Sequence, residues 1–155
     1  MKIPDDVTQR LLGHWPVARL ASTGPDGRPH QVPIVFAYVN ESLWTPVDGK
    51  PKGPRELTRV ANLRARPEAS VLLDDYSDEW SSLWWIRIDT IATVIQPADP
   101  QAEARVEAAV RALREKYPQY ADVPLLPDPP TLIMLRPTAI RSWCADLAAL
   151  TKAGL

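Results

Sequence analysis

The chain has little of several things that usually announce a function. It carries one cysteine, Cys144, so an intrachain disulfide framework and a multi-cysteine metal site are excluded. Its two histidines, His14 and His30, stand apart with no HExxH pattern and no cysteine at metal spacing, so no metal site is expected. No apolar run approaches the roughly 20 residues of a membrane span, and the opening MKIPDDVTQR lacks a signal-peptide pattern, which makes the cytoplasm the default address. Gly49-Lys50-Pro51 lacks the GxxxxGK[ST] phosphate-loop pattern, and Ser77, Ser81 and Ser82 lack a GxSxG context and a histidine base. Cys144, in a Trp-Cys-Ala run, reads as a small buried hydrophobe and not as a nucleophile. The chain is also nearly neutral, formally −1, which argues against a nucleic-acid partner.

What is present is a globular composition, 45% hydrophobic with six Trp, in 155 residues. That length fits one domain over 1–155, able to bury about 70% of its unfolded surface. Seventeen prolines predict many short elements joined by turns. The charge is unevenly spread. Lys50–Arg66 holds six basic residues (Lys50, Lys52, Arg55, Arg59, Arg64, Arg66) against the single acid Glu56, about +5 on a chain that totals −1. A confined cationic island points to a local anionic ligand, the plainer alternative being a solvated basic helix face. Gly53-Pro54 reads as a helix start, with Leu57, Val60, Ala61 and Leu63 facing a core. Arg55, Arg59 and Asn62 at i, i+4 and i+7 then form a neighbouring stripe beside the helix N-terminus, where a phosphate is favoured.

Elsewhere the periodicity predicts a helix over Asp5–His14 and three strands, Pro16–Thr23, Pro29–Val39 and Ser42–Val47, joined by tight turns as a meander. A strand is expected over Ala69–Asp74 and a long one over Leu83–Ile95, whose even positions Trp84, Ile86, Ile88, Thr90, Ala92 and Val94 are nearly all apolar. Asp99-Pro100 should open a helix from Gln101 to Tyr117. A last strand pair, Thr131–Leu135 and Ala139–Cys144, is punctuated by Pro137. The fold class is therefore mainly β, about six antiparallel strands with two or three helices, closing into a barrel. His30 reads as a partly exposed strand histidine. Asp74, Asp75, Asp78 and Glu79 are paired carboxylates or a polar loop edge. Trp80, Trp84 and Trp85 crowd one loop-to-strand junction, where an aromatic wall beside the basic helix would suit a planar heterocycle with an anionic tail. A nucleotide-like cofactor fits, since the chain offers few groups for redox or acid–base work.

Several runs together resemble a known family. The Pro-Asp-Gly-Arg-Pro turn is followed by the basic segment, then by Arg59-x-x-Asn62-Leu63-x-x-x-Pro67 and a strand. This order resembles the flavin-reductase-like split β-barrel family that includes pyridoxamine 5′-phosphate oxidases. The runs Val47-Asp48-Gly49-Lys50-Pro51-Lys52 and Asp74-x-Tyr76-x-x-Glu79-Trp80-x-x-Leu83-Trp84-Trp85-x-Arg87 look like its actinobacterial subgroup that uses the deazaflavin coenzyme F420. The resemblance spans roughly Val17 to Trp143. It implies a six-stranded split barrel forming a homodimer, with cofactor sites at the interface and no triad. The family's phosphate-binding basic residue falls on Arg59. A second basic position of many relatives falls on Leu57, with Lys50, Lys52 and Arg55 left to compensate. Pro33, Ile34 and Val35 match the backbone segment that contacts the isoalloxazine or deazaflavin ring. The implied function is hydride transfer from reduced F420 to a small conjugated acceptor. Its rivals are an FMN-dependent oxidase or reductase and a non-catalytic protein binding F420, haem or another tetrapyrrole.

Overall fold

The computed structural model describes residues 1–50, 56–96 and 103–152. The N-terminal helix α1 runs from Asp5 to His14, the span its periodicity predicts, with Val7, Leu11 and Leu12 buried and two acids in the first turn. Strands β1 (Ala18–Thr23) and β2 (Pro29–Ile34) form a hairpin, closed by Gly27 at φ 81° and by the Gly24 N–H donating to the Arg28 carbonyl at 2.8 Å. Strands β3 (Ala37–Val39) and β4 (Ser42–Pro46) form a second hairpin. Its turn residues Asn40 and Glu41 both adopt positive φ, as a tight two-residue loop between right-twisted strands requires.

The remaining elements are α2 (Thr58–Ala65), β5 (Glu68–Asp75), β6 (Trp84–Ile95), α3 (Glu103–Lys116), β7 (Leu132–Cys144) and α4 (Leu147–Lys152). The strands make one antiparallel sheet in the order β2-β1-β5-β6-β7-β4-β3. Three expectations are corrected here. Among the described residues there are seven strands instead of about six: the pair expected over Thr131–Leu135 and Ala139–Cys144 is one strand, while the single strand expected over Pro29–Val39 is cut at Val35-Phe36. Its halves lie on opposite edges of the sheet, so the expected meander is two separate hairpins and the ladder does not close into a complete barrel. The described helices number four, α4 carrying the buried Leu150 that the sequence reading overlooked.

The cut has a physical cause at the end of α3. The Tyr117 hydroxyl accepts from the Phe36 N–H at 3.0 Å, and its one proton is shared between the carbonyls of Phe36 and Pro16, each 2.9 Å away. A phenol therefore satisfies the backbone of the junction residue in place of a neighbouring strand.

Strand β6 is the spine. It pairs with β5 on one side and, over its full length, with β7 on the other. Trp84, Ile86, Ile88, Thr90 and Ala92 face inward, as their alternation predicts. The apolar ones, Trp84, Ile86, Ile88 and Ala92, join Leu20, Val71, Leu73, Ile133 and Leu135 with the apolar face of α1 in the main core. A smaller cluster packs Val106, Ala109 and Leu113 of α3 on Trp44 and Leu132. Strand β7 is continuous, where Pro137 was expected to divide it. Pro137 faces Thr90 at a register shift that leaves Thr138 out of the ladder, and the pairing with β4 extends only as far as Leu135, opposite Leu43, so no second strand needs the missing proline N–H. The expected helix start at Asp99-Pro100 lies outside the described residues.

Tyr117→Phe is expected to leave the buried Phe36 N–H without an acceptor and to lower stability by about 1–3 kcal/mol. Urea unfolding measures this, and a change under ~0.5 kcal/mol would show that the hydroxyl does not hold the junction.

Candidate functional site

The basic island is anchored through Asp48 and the first turn of α2. Asp48 is only 5% exposed, and its Oδ2 accepts from Lys50 Nζ at 2.7 Å and from the Tyr120 hydroxyl at 2.8 Å. The Lys50 N–H points to Oδ1 at 3.4 Å. The segment is pinned because the Gly49 N–H donates to the Pro124 carbonyl at 2.8 Å, and a Cβ at Gly49 would stand 2.9 Å from Pro124 Cδ. Val35, Lys50, Tyr117, Gln119, Tyr120 and Val123 line a recess of about 150 Å³ at this place. The strand junction, the loop after β4 and the residues after α3 meet there.

Arg59, in the first turn of α2, is half-buried, and its Nε is enclosed with no hydrogen-bond partner among the described residues. Burial pulls its pKa below the ordinary 12.5, and the Asp48 carboxylate opposes that shift. An enclosed guanidinium N–H without an acceptor is costly, and an anion at this point would satisfy it.

The other anticipated residues are dispersed. Lys52 and Arg55 lie outside the described residues, as does the helix start expected at Gly53-Pro54. Asn62, expected on the ligand stripe with Arg59, is instead buried under β1, where its Nδ2 donates to Ser22 Oγ at 3.1 Å. Val60 and Leu63 face the core as expected, whereas Ala61 is exposed. Pro33 is exposed on the edge strand, Ile34 is buried in the core, and Val35 opens onto the recess.

The three tryptophans do not form one wall. Trp84 is 2% exposed and packs edge-to-face on Trp15 with ring centroids 4.7 Å apart, so it is a core residue and not a ligand surface. Trp80 is 77% exposed on a single helical turn. Trp85 points to the opposite face of β6 from Trp84 and lines a shallow basin with Leu72, Asp74, Tyr76 and Arg87. Alternation along a strand separates neighbours 84 and 85 by construction. On the same outer face Asp74 pairs with Arg19 at 2.6 Å and Asp89 with Arg141 at 2.5 Å, which makes Asp74 part of a surface ion pair.

Arg66 belongs to the scaffold, donating to the Gly24 carbonyl at 3.0 Å and tying the end of α2 to the β1–β2 turn. Glu79 accepts from the Ser81 N–H and hydroxyl, and these bonds lower its pKa. His30 is partly buried, with Nδ1 enclosed and unpartnered.

Sequence reasoning assigned no role to Asp48, Tyr117, Tyr120 or Lys116. Burial raises both phenols, Tyr117 to about 12 and Tyr120 further, the latter also because its proton is held by Asp48. Both stay protonated through neutral pH, so neither is an ionised base there. Lys116 puts its enclosed Nζ 3.7 Å from the centroid of the Phe36 ring without a hydrogen bond, and burial lowers its pKa to about 8. Phe36 is therefore held twice, its backbone by Tyr117 and its ring by Lys116. No described helix is long and apolar enough to cross a membrane.

The family model described as pyridoxamine 5′-phosphate oxidase matches residues 5–144, and the chain belongs to that family. No curated protein matches it by sequence. Among solved structures, a conserved hypothetical protein from Mycobacterium tuberculosis is 20% identical with a TM-score of 0.71, covering 96% of this chain and 88% of that one. An FAD-binding protein from Mesorhizobium loti is 18% identical with a TM-score of 0.68, covering 92% and 95%. A structure described as an F420 reductase is 21% identical with a TM-score of 0.57, covering 89% and 98%. At such identities the likeness is one of fold.

The lysine generates a pH-dependence. Unfolded, Lys116 keeps its proton up to its ordinary 10.5, whereas in the folded chain it releases it near 8. Between those values the unfolded chain binds more protons, so stability rises with pH. Above 10, Tyr117 opposes this, because the unfolded phenol ionises before the folded one does at about 12. After discounting for partial exposure and for the cation–π contact, Lys116→Met is expected to stabilise the protein by ~1–2 kcal/mol at pH 7, the gain shrinking toward pH 10. Urea titrations of both proteins at pH 7, 8, 9 and 10 check this. A gain that stays constant across the series would contradict it.

Proposed function

We propose that this protein is an oxidoreductase that binds coenzyme F420 and passes reducing equivalents to a small conjugated organic acceptor. The observation that carries the reading is Arg59, a half-buried guanidinium whose enclosed Nε lacks a partner among the described residues and whose charge feels Asp48, the carboxylate that pairs with Lys50 on the rim of the recess by Val35. A phosphate accepted there satisfies the orphaned donor, so the residues present fit the group. The Lys50-Pro51-Lys52 run supports F420 over FMN. The F420 reductase and the FAD-binding protein on the same fold support a ligand of the flavin or deazaflavin kind.

The bound coenzyme would supply a hydride, which is the chemistry this chain lacks. Arg59 and Lys50 hold the phosphate, and Arg59 can do so with two parallel hydrogen bonds. Val35, at the split between β2 and β3, offers backbone groups that no neighbouring strand claims. Tyr117 keeps that split open, and its protonated hydroxyl gives the recess a neutral wall. Neither phenol is a base at neutral pH, so protons for the acceptor come from solvent or from the acceptor's own surroundings. A homodimer belongs to the same proposal. The basin of Leu72, Tyr76, Trp85 and Arg87, its Tyr76 well exposed, is an aromatic surface on the sheet's outer face, of the sort a second copy covers.

Equilibrium titration with reduced F420 and with FMN, followed by a panel of acceptors, tests the reading. F420 should bind at micromolar concentration or tighter and be oxidised by at least one acceptor. Micromolar FMN binding with no detectable F420 binding would make the protein a flavin enzyme, and F420 retained without turnover would make it a carrier. Arg59→Ala should weaken F420 binding by about 1.5–3 kcal/mol, while Arg66→Ala should leave binding nearly unchanged and lower stability. Equal losses in the two variants would mean a diffuse basic face. Light scattering at micromolar concentration should give twice the 17.3 kDa chain mass.

A further inference from the structure

We propose that Asp48 shifts the preference of this site toward a singly charged phosphodiester and away from a doubly charged phosphomonoester. The inference deepens the proposed function and rests on the reading of Lys50 and Arg59 as the phosphate grip.

The carboxylate is fixed in place. It accepts from Lys50 Nζ at 2.7 Å and from Tyr120 at 2.8 Å, and it is 5% exposed. The backbone that carries it cannot swing outward, because Gly49 is bonded to Pro124 and packed too closely there to carry a Cβ. Its charge is felt by Arg59, whose cationic form it favours. An anion gripped by Lys50 and Arg59 must therefore sit beside a negative charge that neither solvent nor rearrangement removes.

Coulomb repulsion scales with the charge of the ligand, so Asp48 opposes a dianion about twice as strongly, in free energy, as a monoanion. Cations elsewhere in the island attract the dianion more strongly in the same proportion, so Asp48 contributes a bias toward the monoanion relative to the same site without its charge. The phosphate of coenzyme F420 is a diester with one charge. That of FMN is a monoester with close to two above a second pKa near ~6. A resident carboxylate thus gives this chain a way to discriminate between ring cofactors of similar shape by the charge at phosphorus.

Small probes separate this claim from the identity of the cofactor. Methyl phosphate and dimethyl phosphate, titrated by thermal shift at about pH 8 and constant ionic strength, present the dianion and the monoanion without a ring. In Asp48→Asn, affinity for methyl phosphate should rise roughly tenfold and that for dimethyl phosphate about threefold, the square relation that a doubled charge imposes at a screened, partly buried site. FMN and F420 should follow the same order by fluorescence titration. Asp48→Ser, which still accepts a hydrogen bond, serves if the asparagine variant folds poorly, and Asp48→Glu should keep the wild-type preference. Equal gains for the two probes, or losses for both, would overturn the inference and make Asp48 an organiser of Lys50. If the wild type binds no F420 while the methyl phosphate ratio shifts as stated, the cofactor reading falls and the role of Asp48 stands.

Discussion

The sheet of this protein depends on one hydroxyl. A strand that runs continuously from Pro29 to Val39 in the sequence has to leave one edge of the sheet and enter the other, and the residue in transit, Phe36, loses its ladder partners. Tyr117 supplies both an acceptor and a donor to that residue and also reaches Pro16, so one side chain from the end of α3 holds the start of β1 and the β2–β3 junction together. A buried N–H without a partner costs about as much as several well-packed contacts contribute, which is why the split can exist only where such a side chain arrives. The opened backbone at Val35 and the recess beside it follow from the same arrangement.

Electrostatics at the recess are a balance and not a simple attraction. Burying Arg59 destabilises its charge, and Asp48 partly restores it. Lys50 and Tyr120 in turn bond to the Asp48 carboxylate. The same carboxylate that favours the charge of half-buried Arg59 and pairs with exposed Lys50 also competes with any anion for them. Stability of the empty site and affinity for a ligand are thus set against each other through one residue. Lys116 shows a different solution to the same problem, its enclosed ammonium resting on the Phe36 ring with no hydrogen-bond partner among the described residues.

Much of the outline was legible because it is local. The apolar spacing of Val7, Leu11 and Leu12 placed α1, and the alternation from Trp84 to Ala92 placed β6 and its inward face. The turn residues Gly24 to Gly27 and Asn40-Glu41 marked both hairpins. The cationic island, and Arg59 within it, stood out as charge against a neutral chain. Trp84 and Trp85 misled because adjacency in sequence was read as adjacency in space, while a strand sends successive side chains to opposite faces. Asn62 misled because a polar side chain on a basic helix was read as exposed, and its partner Ser22 is 40 residues away.

The sequence by itself determined the elements, their polarity patterns and the location of the positive charge, since each depends on neighbours within a few residues. Only the tertiary structure decided which strand edges meet, that Pro29–Val39 is divided, and that Pro137 does not interrupt β7. It alone decided that Asp48, Arg59 and Tyr120 converge, residues up to 72 positions apart along the chain. Those outcomes depend on the summed burial and hydrogen bonding of the whole chain, which no local pattern of residues encodes.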